Sequence, residues 1–175
     1  VNKSFRETME LSLIFPFIWG KKDNYKKLID PDYLLNKSLE NNRPKIFFTL
    51  HMGCVDILIF VLSELLAQVN FLYTPVKNKK LERKLLDIRQ RQGGKMFPAT
   101  PNGVKNLYKS FIYKKNIVIA SDLVPHKQGV YEKFFNRECF CIDLVEKLSN
   151  KGTHDLHFIY LTKGKKNKYK LVCKK

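Results

Sequence analysis

A chain of 175 residues, 44% apolar and 13% aromatic, is long enough to bury one domain core and too apolar for global disorder. Its 33 lysines and arginines against 16 acids leave a net charge of +17. That excess predicts an anionic partner: nucleic acid, phospholipid headgroups, a phosphorylated glycolipid or an acidic carrier protein. There is no signal peptide and no apolar run of 18 residues, which excludes a membrane span within this stretch. Cys54, Cys139, Cys141 and Cys173 lack Cys-x-x-Cys or zinc-ribbon spacing, so buried free thiols are expected.

Residues 3–20 carry a helical pattern that Pro16 should kink or end. Phe15, Phe17, Ile18 and Trp19 precede Lys21 and Lys22, a grouping that suits a core or a membrane surface. Asp30-Pro31 opens a second helix, with Tyr33, Leu34, Leu35 and Leu39 on its apolar side, and Asn41-Asn42-Arg43-Pro44 closes it.

A strand over 45–50 then leads into His51-Met-Gly53, followed by a nearly all-apolar helix over about 54–67. His51 therefore stands where a strand stops and a helix begins, the place where open α/β sheets bind ligands. Asp56 follows five positions later. A histidine there can act as a general base, and a carboxylate can fix its tautomer. Residues five apart in one helix are about 140° apart, so the pair works only with His51 before the helix and Asp56 in its first turns. The bland reading is a helix-start histidine and a dipole-favoured Asp with no joint role. Cys54 is a weaker candidate, as a nucleophile.

Residues 69–74 form a second strand. The segment 77–95 holds eight basic residues, among them Lys77, Arg89 and Arg91, and two acids. Leu81, Leu85 and Ile88 give it one packing side and one cationic side, and Gly93-Gly94 ends it. The cationic side is either a solvated face or a phosphate site in which Arg89 or Arg91 offers a fork of donors. Lys95–Phe97 is a short strand, and a helix starts at Thr100-Pro101-Asn102 with Val104, Leu107, Tyr108 and Phe111 as its stripe. Asn116–Ala120 is a buried strand ending at Ser121-Asp122. A loop with Pro125, His126, Gln128 and Gly129 leads to Val130–Arg137. Residues 142–150 are helical, 156–162 a strand, Lys163–Asn167 a hairpin turn and Tyr169–Cys173 the return strand. His154 and His157 read as surface and strand residues. The alternation predicts an α/β domain: a mostly parallel central sheet flanked by helices and closed by a C-terminal hairpin.

The ordered set His51-x4-Asp56, Tyr73–Asn78, Ile88–Gly94, Asn102-Gly-Val104, Ile117–Asp122 and Gly129–Phe135 resembles the bacterial lipid A biosynthesis acyltransferases. That late lauroyl/myristoyl family lies within the glycerol-phosphate acyltransferase superfamily, and the likeness covers about residues 3–173. It implies a glycerol-phosphate-acyltransferase-like fold and transfer of a fatty acyl chain from acyl carrier protein to a hydroxyl of a phosphorylated glycolipid. It makes His51 the base and Asp56 its orienting acid. Arg89 would hold a phosphate or developing charge, and Asp122 would position Arg89 or the acceptor. Lys77 and Arg91 join Arg89 and Asp122 as candidate substrate-binding residues, and Phe134-Phe135 would shape the loop beside the acyl groove.

The reaction so implied needs no metal or cofactor. Its place would be the cytoplasmic face of a Gram-negative inner membrane, with no nucleic-acid partner. Thr74 and Leu123 stand where the family commonly has Arg and Gln. The chain starts on Val and ends on Lys175 right after a strand, so residues 1–175 are expected to be one acyltransferase domain incomplete at both ends. Two rival expectations are a basic module binding nucleic acid or another anionic surface, and an inactive truncated acyltransferase.

Overall fold

The computed structural model describes residues 2–30, 42–125, 129–164 and 168–175, with residues 2–4 described by backbone alone. The elements are α1 (Asn2–Gly20), a short 3-10 turn (Asn24–Leu28), β1 (Lys45–Thr49), α2 (Val55–Leu65), β2 (Asn70–Tyr73), α3 (Lys79–Gln90) and β3 (Lys95–Pro98). They continue as α4 (Pro101–Ile112), β4 (Ile117–Ala120), β5 (Val130–Phe134), β6 (Arg137–Cys141), α5 (Leu144–Ser149), β7 (Asp155–Lys163) and β8 (Tyr169–Lys174). The helix expected after Asp30-Pro31 and the turn residues 165–167 lie outside the described residues.

Six strands form one sheet in the order β3-β2-β4-β1-β7-β8. The first five are parallel, and β8 returns antiparallel to β7, the mixed sheet with closing hairpin that strand–helix alternation predicts. Apolar runs such as Ile46–Phe48 and Ile117–Ile119 suit strands covered on both faces. One face packs on α2, whose residues Asp56 to Ser63 are all buried, together with Ile18, Tyr25, Phe71, Ile159 and Leu171. The other packs Ile46, Ile117 and Ile119 on Leu107 and Phe111 of α4 and Leu148 of α5. Each such side chain contributes roughly 1.5–3 kcal/mol of burial.

Asn78 caps α3 by accepting the amides of Lys80 and Leu81, and Thr100 caps α4 by accepting that of Gly103. A Cβ on Gly103 would stand 1.8 Å from the Pro98 carbonyl oxygen; only glycine lets the first turn of α4 fold against the end of β3. Two expectations change, and one stretch that had no predicted element gains one. Helix α1 runs through Pro16 to Gly20, because one missing N–H is outweighed by the contacts that hold its end, described below. His154 is buried rather than on the surface, stacked 4.4 Å from Phe111 with Nε2 on the Lys115 carbonyl. Residues 130–141 fold into a separate antiparallel hairpin, turning at Phe135 and Asn136 with φ of 49° and 60°.

Candidate active site

The parallel register builds the site. Thr49 of β1 pairs with Ala120 of β4, and the Ser121 amide donates to the Thr49 carbonyl. Two residues past that pair, on adjacent strands, stand His51 and Asp122. The His51 ring nitrogen Nδ1 lies 2.7 Å from Asp122 Oδ1, and the His51 backbone N–H donates to Oδ2 at 2.7 Å. One carboxylate thus grips both the ring and the backbone of the histidine. A carboxylate only accepts, so Nδ1 carries a proton, which in the neutral ring leaves the lone pair on Nε2. Burial pushes the Asp122 carboxyl up, but the two hydrogen bonds from His51 outweigh it and hold the pKa below its ordinary value. The side chains of His51 and Asp122 are 47% and 33% exposed, open to a substrate. Gly53, at φ +70°, makes the turn that separates His51 from α2.

Asp56 has a different set of partners. It is 1% exposed, in the first turn of α2. Its Oδ2 accepts Trp19 Nε1 at 2.7 Å from α1, and its Oδ1 accepts Arg89 Nε at 2.8 Å and Arg89 Nη2 at 2.8 Å from α3. The expected orienting contact from Asp56 to His51 is made by Asp122 instead. The physical reason is topology: strand neighbours set at one register meet directly, whereas the helix turns the fifth residue away. Arg89 is likewise held by Asp56, not by Asp122.

Arg91 does not take up the expected role of a phosphate fork. Its guanidinium donates to the carbonyls of Ile18, Trp19 and Lys21 and lies 4.9 Å over the Phe60 ring. These are the open carbonyls at the end of α1, and Gln92 adds a bond to the Lys22 carbonyl. Lys77 is exposed, just before α3. Cys54 is fully buried, and burial pushes its thiol up to about 11, so it is no nucleophile. His126 lies outside the described residues. Among those residues no group of three or more His, Cys, Asp or Glu could hold a metal ion, and no helix is long and apolar enough to cross a membrane.

Sequence reasoning singled out every residue of this site except Trp19 as a carboxylate partner. Trp19 is the chain's one tryptophan, and an indole withdrawn from water needs an acceptor, but nothing in the sequence points to Asp56. The family model for bacterial lipid A biosynthesis acyltransferases matches residues 7–172. The chain belongs to that family. No curated protein matches it closely enough to add to this.

Proposed function

We propose that this member of the lipid A biosynthesis acyltransferase family moves a fatty acyl chain from acyl carrier protein to a hydroxyl of a phosphorylated glycolipid, with His51 as general base and Asp122 as its orienting acid. The hydrogen bond between His51 Nδ1 and Asp122 carries the reading. With Nδ1 protonated, Nε2 takes the proton from the acceptor hydroxyl as its oxygen attacks the thioester carbonyl. The tetrahedral intermediate collapses with cleavage of the carbon–sulfur bond. The leaving thiolate recovers the proton from Nε2–H, so His51 ends neutral. Asp122 stabilises the transient imidazolium.

Asp56, Trp19 and Arg89 tie α1, α2 and α3 together beneath this turn. Lys77 and the outer face of Arg89 are the cations we assign to the acceptor's phosphate. The enzyme would work at the cytoplasmic face of the inner membrane. Support comes from a stripe of exposed apolar side chains on α1, Phe5, Met9, Leu13 and Phe17, and from Phe135, 87% exposed at the hairpin tip. Phe134-Phe135 would border the acyl chain from that hairpin.

The test is transfer in mixed vesicles, with acyl carrier protein thioesters and a phosphorylated glycolipid acceptor, read by mass. A gain of one acyl chain that disappears in His51→Ala is expected. Equal transfer by wild type and His51→Ala would remove the histidine from the reaction.

A further inference from the structure

Within the strongly basic segment 77–95, the structure divides the cations into two groups. Arg89 and Arg91 turn inward, onto Asp56 and onto the carbonyls of α1. Lys79 is paired with Glu82, and Glu82 also accepts Tyr73 Oη at 3.0 Å. Lys77, Lys80, Arg83, Lys84 and Lys95 remain, all exposed, and none has a carboxylate within ion-pair distance among the described residues; Lys95 stands apart, at the start of β3. On α3, Lys80, Leu81, Arg83 and Lys84 share one side by i, i+3 and i+4 spacing, and Lys77 precedes the Asn78 cap. Leu81 is 47% exposed in their midst. Asp87 is the one exposed acid of α3.

Position gives this stripe a purpose. Phe71 of β2 pairs with Val118 of β4, which sets Tyr73 level with Ala120. The loop 74–78 and the first turns of α3 therefore rise from the same sheet end as His51 and Asp122. The stripe sits on a convex helix rather than in a pocket, so its charges diverge. A small anion needs converging donors; diverging cations around one leucine match an extended acidic protein surface with an apolar contact at its centre. The bilayer fits less well. The exposed aromatic side chains that suit a membrane interface belong to α1 and the hairpin tip, and the exposed face of α3 has none.

We propose that the outward face of α3, with Lys80, Arg83 and Lys84 around Leu81, is the docking surface for the acidic carrier protein that presents the acyl thioester. The identity of the partner rests on the function proposed above. Docking there brings the donor to the strand ends that carry His51, and steers its arrival electrostatically.

The experiment compares the full chain with the triple variant K80E/R83E/K84E and with a control, K151E/K170E/K174E, that removes the same net charge from exposed lysines elsewhere. Binding of acyl carrier protein is measured at low and moderate salt. Transfer is measured from the carrier thioester and from a small pantetheine thioester. The triple variant should melt like wild type, bind the carrier at least tenfold more weakly, and show a raised KM for the carrier thioester with kcat on the small thioester unchanged. The control should bind within threefold of wild type.

Equal carrier binding by wild type and the triple variant overturns the proposal. So does equal loss in the control, or a loss confined to binding of anionic vesicles, which would assign the stripe to lipid headgroups. Selective loss of carrier binding without transfer from any donor would sustain the docking surface while overturning the proposed reaction.

Discussion

Two aspartates stand near one strand-to-helix turn, and their surroundings divide the work between them. Asp122 is one-third exposed, accepts both the ring and the backbone of His51, and is held ionised by those bonds. Asp56 is 1% exposed and lies between an indole and a guanidinium. A buried ion pair of this kind gains little over well-packed apolar groups, but leaving one partner alone is costly. An accessible carboxylate on a histidine is the arrangement the proposed reaction requires; a buried one with partners on two other helices ties those helices together. Spacing in the chain put Asp56 beside His51, and spacing between strands puts Asp122 there.

Exchanging the two side chains' chemistry tests the division most strongly. His51→Ala should abolish transfer, and Asp122→Asn should lower kcat by roughly 10²–10⁴, because the amide no longer holds the tautomer or balances the imidazolium. Both variants should melt within a few degrees of wild type. If Asp122→Asn keeps full activity while a folded Asp56→Asn loses it, the assignment is reversed.

The next effect is on stability. Asp56→Ala strands the Arg89 guanidinium and the Trp19 indole, and should cost about 3–5 kcal/mol by denaturant unfolding. The double variant Asp56→Leu/Arg89→Met should recover most of that loss, since it removes both charges together. Recovery of stability with partial recovery of transfer would identify the pair as scaffold. Because Arg89 is also assigned to the acceptor's phosphate, the double variant should show a raised KM for the acceptor with kcat largely kept; recovery of stability with kcat abolished at saturating acceptor would return Asp56 to the chemistry.

Much of this arrangement is legible in the chain. The mostly apolar run from Ile46 through Leu66, turning at His51–Gly53, announces a strand, a turn and a buried helix, and the short apolar strand before Asp122 announces a second strand end. Which strands become neighbours is another matter. That β4 inserts between β2 and β1 is a property of the whole sheet, and it alone brings Asp122 to His51. The fate of Arg91 was hidden for a similar reason: its partners are backbone carbonyls 70 to 73 positions away, which carry no side-chain signature. The β5–β6 hairpin lacks the Asn-Gly or Asp-Gly that marks such a turn. Phe135 takes the positive φ instead.

Trp19 sharpens the scaffold side of the comparison with a smaller change. Trp19→Phe keeps a ring against Phe15, whose centroid is 5.1 Å away, and removes only the N–H that Asp56 accepts. It should cost about 1–3 kcal/mol, the usual loss for a hydrogen bond to a buried charged group. Activity at low temperature should stay near wild type. A large fall in kcat with unchanged stability would mean that the indole reaches the reacting groups.

The smallest effect is pH-dependent and separates Asp122 by its pH window. Its folded pKa lies below the ordinary carboxylate value, so the unfolded chain binds the proton more readily. The stabilisation it provides is complete above the ordinary value and is lost as pH falls through the lowered folded one. His154 and His157 act in a different window: burial, joined for His157 by Lys45, lowers both. The unfolded chain again binds protons first, and stability falls as pH drops below about 6.5. Thermal melts from pH 8 to pH 3 should therefore decline in two stages. In Asp122→Asn the first stage should persist, since it belongs to the histidines. The second should shrink, because the asparagine has no proton to take up. A first stage that disappears in Asp122→Asn would overturn the assignment of that stage to His154 and His157.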